Sequence, residues 1–333
     1  MRRLINSREN IIEDMINGYL KLCRGKCEKV EGVHAIVKSV PRDKVSVIVG
    51  GGSGLDPWPI GYVGEGLADG AAVGNVFTAP PAKAILEATR KLPHEKGVVY
   101  VVTNHAGDVL NFELVSELAG LEGIRTRQIY IADDITSADD SNRGERRGIG
   151  GVALLTKLAG AVTEAGNSLE ETDRILKKAN ERIGTFSVNA GKSYSPSTGE
   201  ICFELPENEL EYGMGFNGET GAFRETFSGA AHMADTLMEY LIKDMRLEKG
   251  SKIAVWLNGY SMTSQIELSI LAGEICSNLE RAGIELYDIR AERLFVTPGA
   301  QGLSVSVLKL DEELEKYYDR EAEAPFFHIS ERR

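Results

Sequence analysis

Apolar positions along the chain switch between helical and strand spacing, and the switching outlines the architecture. Residues 9–23 carry Ile11, Ile12, Met15, Ile16, Tyr19 and Leu20 at helical spacing, which predicts an amphipathic helix ended by Gly25. Val45 to Val49 is a β-branched apolar run of the buried-strand type. It empties into Gly50, Gly51, Gly52 and Gly54, and Asp56-Pro57 closes the turn. A small-residue segment, 61–74, comes next. Phe77-Thr-Ala-Pro80 is a short strand-to-turn signal, and Pro81 suits the first turn of a helix reaching Lys91. Residues 97–102 read as a strand, 103–108 as the loop after it, 110–121 as a helix and 128–131 as another strand. Helices are expected over 149–165 and from Ser168, where Ser168-Leu-Glu-Glu171 fits a capping box, to about residue 183.

In the second half, residues 186–188, 212–215, 253–257, 284–289 and 303–308 have strand character. Residues 228–243 and 263–281 have helical periodicity. The alternation predicts an α/β protein of two domains, each a β-sheet layered with helices, with the sheet of the first mostly parallel. Gly184 marks the expected boundary, giving domains 1–184 and 185–333; a length of 333 residues accommodates two domains of about 150 each.

Composition narrows the partners. A formal charge of −12 argues against nucleic acid, which needs a basic surface. No apolar run approaches a membrane span, so the expectation is a cytoplasmic protein without a membrane partner. Cys23, Cys27, Cys202 and Cys276 form no metal spacing. Cys23 and Cys27 read as sharing one helix face, and all four as reduced thiols.

Candidate chemistry centres on the glycine run, because glycines just after a strand let backbone approach a ligand at the carboxyl edge of a sheet. Neither standard phosphate loop fits. The dinucleotide pattern fails where its last glycine falls on Leu55. In Ala190-Gly-Lys-Ser193 the pattern needs glycine where Phe186 stands, and no helix start follows. The acidic run 133–140 reads as a solvated loop rather than a divalent-metal site, so no metal is assigned. His34, His94, His232 and His328 read as surface or core histidines. His105 stands apart, at a strand end with Asp108 three residues on. It either joins Asp108 in acid/base work or simply packs the loop.

Longer motifs then fall into register. Gly50-Gly-Gly-Ser-Gly-Leu-Asp-Pro57, Gly61-Tyr-Val-Gly64, Phe77-Thr-Ala-Pro80, Asn104-His-Ala-Gly-Asp108, Arg146-Arg-Gly148 and Tyr212-Gly-Met-Gly-Phe-Asn-Gly-Glu-Thr-Gly221 occur in the order found in one family. Over nearly its whole length the chain resembles the K-type substrate-binding subunit of dihydroxyacetone kinases. The resemblance implies a homodimer and a ligand site at the loop ends of the first domain, formed by Gly51, Gly52, Ser53, Leu55, Thr103 and His105 around Asp108, with Asn217 from the second half. It also implies that the chain carries no nucleotide itself, since a separate L-type subunit holds ATP or ADP with magnesium.

Three departures qualify that expectation. The family's histidine that captures the ketone covalently corresponds to Asn217, whose amide lone pair is delocalised and cannot act as a nucleophile. A second family histidine corresponds to Leu55, and a lysine to Thr103. Asp108 keeps the position that takes the ligand hydroxyl's proton. The expected function is a kinase-like subunit holding a small hydroxy-carbonyl or polyhydroxylated ligand without covalent capture. The alternative is a metabolite sensor or co-activator built on the same frame.

Overall fold

The computed structural model describes residues 4–296 and 298–331. Two compact units divide them. One takes the chain up to Ile131, Val152–Asn180 and the chain from Glu313; the other takes Ala132–Gly151 and Glu181–Glu312. The boundary expected near residue 184 lies close to the crossing at Asn180 and Glu181. Residues 132–151 and the chain from Glu313 fall outside a two-piece division.

The first unit holds α1 (Ile11–Leu22), β1 (Cys27–Lys29), β2 (Ala35–Lys38), β3 (Ser46–Ser53) and β4 (Gly70–Val76). It continues with α2 (Ala82–Lys91), β5 (Val98–Thr103), α3 (Ala106–Leu121), β6 (Thr126–Ile131), α4 (Val152–Glu164) and α5 (Leu169–Glu181). Its sheet has the order β1-β2-β4-β3-β5-β6. β4, β3, β5 and β6 run parallel, with β2 and β1 added antiparallel at one edge. Ile48, Ala72, Tyr100 and Val102 pack with Ile85 of α2 and Phe112 and Val115 of α3. The alternate positions Val47, Val49, Val99 and Val101 are equally buried, and α4, apolar along most of its length, lies against β3 and β5.

The second unit holds β7 (Ile183–Ala190), β8 (Lys192–Tyr194), β9 (Ile201–Glu204), β10 (Glu209–Tyr212), β11 (Phe223–Thr226), α6 (Ala230–Asp244), β12 (Lys252–Gly259), α7 (Gln265–Ala282), β13 (Glu285–Glu292) and β14 (Gln301–Lys309). Its sheet, β11-β10-β7-β14-β12-β13, is antiparallel except for the β12–β13 pair. Phe186, Val188, Val255, Leu257, Val305 and Val307 meet Leu237 and Leu241 of α6 and Leu271 and Ile275 of α7. α7 has a full capping box at Ser264 and Glu267 and ends on Gly283 at φ 67°. After β14 the chain returns to the first unit as α8 (Glu312–Tyr318), β15 (Ala322–Ala324) and β16 (Phe327–Ile329). There the buried Lys157 ammonium of α4 donates to the carbonyls of Tyr317 and Tyr318, the favoured place for a cation at a helix C-terminus.

Several sequence expectations change. The small-residue segment contains the central strand β4. Its glycines are required by neighbours, since a Cβ on Gly74 would lie 1.9 Å from the Thr78 carbonyl oxygen. α3 begins at Ala106, so Asp108 sits in a helix's first turn, where a carboxylate is favoured, rather than in a loop. Cys27 opens a strand, so it shares no helix face with Cys23. Asp133 and Asp134 are fully buried, not solvated. The Asp133 carboxylate accepts from the N–H groups of Ile149 and Gly151, both at 2.7 Å. Asp134 accepts from Thr136 and from Arg147. These carboxylates close the segment 132–151 on itself, and backbone bonds join it to β7: the Thr185 N–H donates to the Asp133 carbonyl (2.7 Å) and the Ile135 N–H to the Thr185 carbonyl (3.1 Å).

Candidate functional site

Three of the sequence motifs converge where β3, β4 and β5 end. β3 and β5 are parallel neighbours, with Gly50 opposite Val102, so the chain after Ser53 and the chain after Thr103 leave the sheet side by side. The turn at residues 77–80 closes over them. The Phe77 N–H donates to the Ser53 carbonyl (2.9 Å), and the Asn111 side chain of α3 donates to the Pro80 carbonyl (2.9 Å). Such an edge is the ordinary ligand position in an open α/β sheet.

The glycines of β3 answer to protein neighbours. A Cβ on Gly51 would lie 2.4 Å from Trp58 Nε1, and one on Gly52 would lie 2.7 Å from the Thr78 nitrogen. The Ser53 hydroxyl is buried and donates to the Gly74 carbonyl at 2.7 Å. Leu55 is buried and bridges to Trp58 across a tight turn, which gives the end of the loop an apolar lining. Trp58 and Thr78 thus shape the loop as much as its glycines do. Sequence reasoning passed over both. The one available signal was the family-motif position of Thr78, and for Trp58 its place directly after Pro57.

Asp108 is the chemically distinctive group. It is 6% exposed. Thr103 Oγ1, at the end of β5, donates to its Oδ2 at 3.1 Å, while Oδ1 has no hydrogen-bond partner. Burial pushes its pKa up to about 6, against the opposing pull of His105 and the Thr103 hydrogen bond. His105 precedes α3 in extended conformation at the N-cap position; its ring does not cap the helix, but it stands close enough to favour the Asp108 carboxylate. The structure therefore gathers Gly51, Gly52, Ser53, Leu55, Thr103, His105 and Asp108 at one edge of one sheet. The group offers a polarised base in dry surroundings, where an unpartnered carboxylate oxygen is costly unless a ligand engages it.

Asn217 belongs to the second unit, in the loop between β10 and β11. It is exposed. Its backbone N–H and its amide both donate to the Glu219 carboxylate, at 3.0 and 3.3 Å. Around it the loop is well anchored: Arg147 donates to the Gly213 carbonyl (2.8 Å), Ser187 to the Met214 carbonyl (2.9 Å), and Phe216 packs edge-on against Tyr260 and Phe295. Arg146, fully buried, makes a paired ion bridge to Asp244 at 2.6 and 2.9 Å. The Arg146-Arg147 motif is therefore a structural clamp. The segment Ala190-Gly-Lys-Ser193 is the turn from β7 into β8 and opens no helix. Among the described residues no cluster of three or more metal-ligating side chains occurs, and no helix is long and apolar enough to cross a membrane.

Comparison with known proteins adds the family context. The Dak1 domain matches residues 17–326. The chain is 34% identical over 314 residues to the PTS-dependent dihydroxyacetone kinase 1, dihydroxyacetone-binding subunit DhaK, of Listeria innocua, covering 94% of this chain and 95% of that one. It is also 34% identical over 327 residues to D-erythrulose kinase of Mycolicibacterium smegmatis, covering 98% of this chain but 56% of that protein. Among solved structures, the dihydroxyacetone kinase operon co-activator Dha-DhaQ superposes with a TM-score of 0.89 at 27% identity, covering 96% of this chain and 99% of that one. The native dihydroxyacetone kinase of C. freundii gives 0.89 and 27%, covering 100% of this chain and 61% of that one.

Proposed function

The chain belongs to the Dak1 family, and from that premise we propose that it is the substrate-holding subunit of a dihydroxyacetone-kinase-like phosphotransferase. Its ligand is a small hydroxy-carbonyl or polyhydroxylated compound, bound without a covalent link. A partner subunit of the L type brings ATP or ADP with magnesium. Relatives named for dihydroxyacetone and for erythrulose support a ligand of three or four carbons.

The observation that carries this reading is Asp108. One oxygen is fixed by Thr103, the other is buried without a hydrogen-bond partner, and the carboxyl titrates near pH 6. In the proposed step a ligand hydroxyl donates to Oδ1. As its oxygen forms the bond to phosphorus, its proton passes to Asp108 and the bond from phosphorus to the nucleotide oxygen breaks. Positioning and charge dominate such a transfer, so the protein's task is orientation and proton acceptance. Where the family resemblance places a nucleophilic histidine, the Asn217 amide donates to Glu219, and orientation must come from hydrogen bonds and pocket shape.

The test offers a panel of three- to five-carbon ketoses, aldoses and sugar acids to the chain with a cognate L-type subunit and ATP-Mg. Phosphorylation of at least one compound, lost by about 10²-fold or more in Asp108→Asn, is the expected result. Binding of a compound with no phosphorylation of any would overturn the enzyme reading. A second reading, a metabolite-sensing co-activator, draws support from the close superposition on an operon co-activator. A sensor would keep its ligand affinity and its output in Asp108→Asn.

A further inference from the structure

A second chemical feature of the first unit lies apart from the Asp108 residues, where α1 gives way to β1. Cys23 ends the helix. Arg24 and Gly25 take positive φ (50° and 83°), and the Lys26 N–H donates to the Cys23 carbonyl at 3.0 Å. This reversal brings Cys27, the first residue of β1, back beside Cys23. The two thiols come within interacting range of each other, and Tyr19, one helical turn earlier, places its phenol next to Cys23. Both sulfurs are withdrawn from the outer surface, at 3% and 8% residue exposure, yet both residues line a cavity of about 520 Å³. Lys26, Lys38 and His328 share its wall, and Glu323 and Ala324 of β15 with Phe326 of the turn that follows form its far side. Lys38 is balanced by Asp69, Glu65 and Glu164, and Lys26 by Glu323.

The two thiols are unequal. The neighbouring Cys27 thiol draws the Cys23 thiol down, with Tyr19 and Lys26 adding to the effect against burial. The interaction with Cys23 and then burial push the Cys27 thiol up, against the opposing pull of Lys38 and Lys26. A depressed thiol paired with a protonated neighbour is the arrangement of an attacking and a resolving cysteine.

We propose that Cys23 and Cys27 form a modification site that takes a low-molecular-weight disulfide from the cavity and closes to an intrachain disulfide. The Cys23 thiolate attacks one sulfur of the incoming disulfide, forming a mixed disulfide and releasing one thiolate, which takes up the proton lost by Cys23. Cys27 then loses its proton and attacks the Cys23 sulfur, releasing the second small thiol. The protein loses two hydrogens and two electrons, and the small disulfide gains both. The ring so closed spans only residues 23–27 and stabilises less than a long loop would, so chemistry, not stability, is the readout.

The full chain carrying Cys202→Ser and Cys276→Ser is treated with 2-hydroxyethyl disulfide under native conditions, and intact mass and peptide mapping are read over time. The expected product has lost the mass of two hydrogens and carries a 23–27 crosslink. Its mixed disulfide stays below roughly a tenth of the protein, because intramolecular resolution outruns the first step. Cys27→Ser in the same background should accumulate the mixed disulfide at Cys23 stoichiometrically. Cys23→Ser should react at Cys27 at least roughly tenfold more slowly. A persistent mixed disulfide with Cys27 present, equal rates at the two thiols, or unreacted thiols in the pair would each overturn the proposal. The first and third outcomes are read on native cysteines, so they stand even if a serine variant folds poorly.

Discussion

Asp108→Asn should change stability in a way that depends on pH, and the effect can be measured without knowing the ligand. The folded carboxyl titrates at about 6 against an ordinary 3.8, because burial outweighs the help from His105 and Thr103. At about 1.36 kcal/mol per unit, ionised Asp108 costs the folded state roughly 3 kcal/mol at pH 8. The sign follows from proton binding. The folded chain holds this proton more tightly than the unfolded chain, so the cost is absent below about pH 4, grows between about 4 and 6, and is full above that. Asparagine has the same shape and no charge. It can keep the Thr103 hydrogen bond, but it turns an amide NH₂ toward the place where Oδ1 has no partner, a buried donor worth about 1–2 kcal/mol of loss. The variant should therefore gain about 1–2 kcal/mol at pH 8 and lose a similar amount at pH 4. Amide hydrogen exchange of β5 reports the opening of the first unit alone, so protection of Val99 to Val102 in both proteins at pH 4, 6 and 8 is the assay. A difference that keeps one sign and one size across that range would refute the buried, ionisable state assigned to Asp108.

Turnover with any accepted ligand should fall as pH drops through about 6, because the proton acceptor is then neutralised; an acid limb near 4 would mean that Asp108 is not the base. Gly51→Ala places a methyl group 2.4 Å from Trp58 Nε1 and should cost roughly 1–3 kcal/mol with a shift in tryptophan fluorescence; an unchanged midpoint in urea would count against the tight indole contact. Arg146→Met leaves the Asp244 carboxylate without its paired bridge and should destabilise by about 3–5 kcal/mol, with most of that recovered when Asp244→Leu is added. Excess dihydroxyacetone followed by hydride trapping should leave no adduct on residues 213–221 in intact-protein mass spectrometry; a stoichiometric adduct there would show that the loop retains a nucleophile.

Much of the scaffold was legible because period and capping chemistry agreed. Ser168 does cap α5, with the Glu171 N–H donating to its hydroxyl at 3.1 Å, and the buried β-branched runs became β3, β5 and β12. What escaped was set by tertiary neighbours. β4 has too little side-chain mass to show a strand period, and it is small because Thr78, Leu92 and Val37 press against it. The first turn of α3 carries no hydroxyl cap, so its start could not be seen. Asp133 and Asp134 look like surface acid in one dimension; only the backbone N–H groups and the arginine that meet them explain their burial. The positions gathered at the edge of β3 and β5 were legible through motif order. Their electrostatics were not, since the state of Asp108 depends on how much of it the fold hides.

That electrostatic state gives the substitution at position 103 a consequence. The family resemblance places a lysine there, and an ammonium within about 4–6 Å holds a carboxylate one to three units lower than it would otherwise lie. Thr103 supplies a single neutral hydrogen bond at 3.1 Å, which leaves burial in control and Asp108 near 6. Exchanging lysine for threonine therefore trades a positioned charge for a stronger base. Two substitutions should move the carboxyl in opposite directions. Thr103→Val keeps the shape, deletes the hydrogen bond to the charged form and should raise the pKa above 6. Thr103→Lys should lower it to roughly 3–5 if the buried ammonium pairs with Asp108. Carboxyl carbon shifts of labelled aspartate, titrated in each protein, read the group directly. Valine is nearly isosteric with threonine, so a failure of the lysine variant to fold does not void the comparison. Should Thr103→Val leave the titration where it was, the hydroxyl contributes nothing to the charged form, and the stabilising hydrogen bond assigned to Thr103 would be refuted.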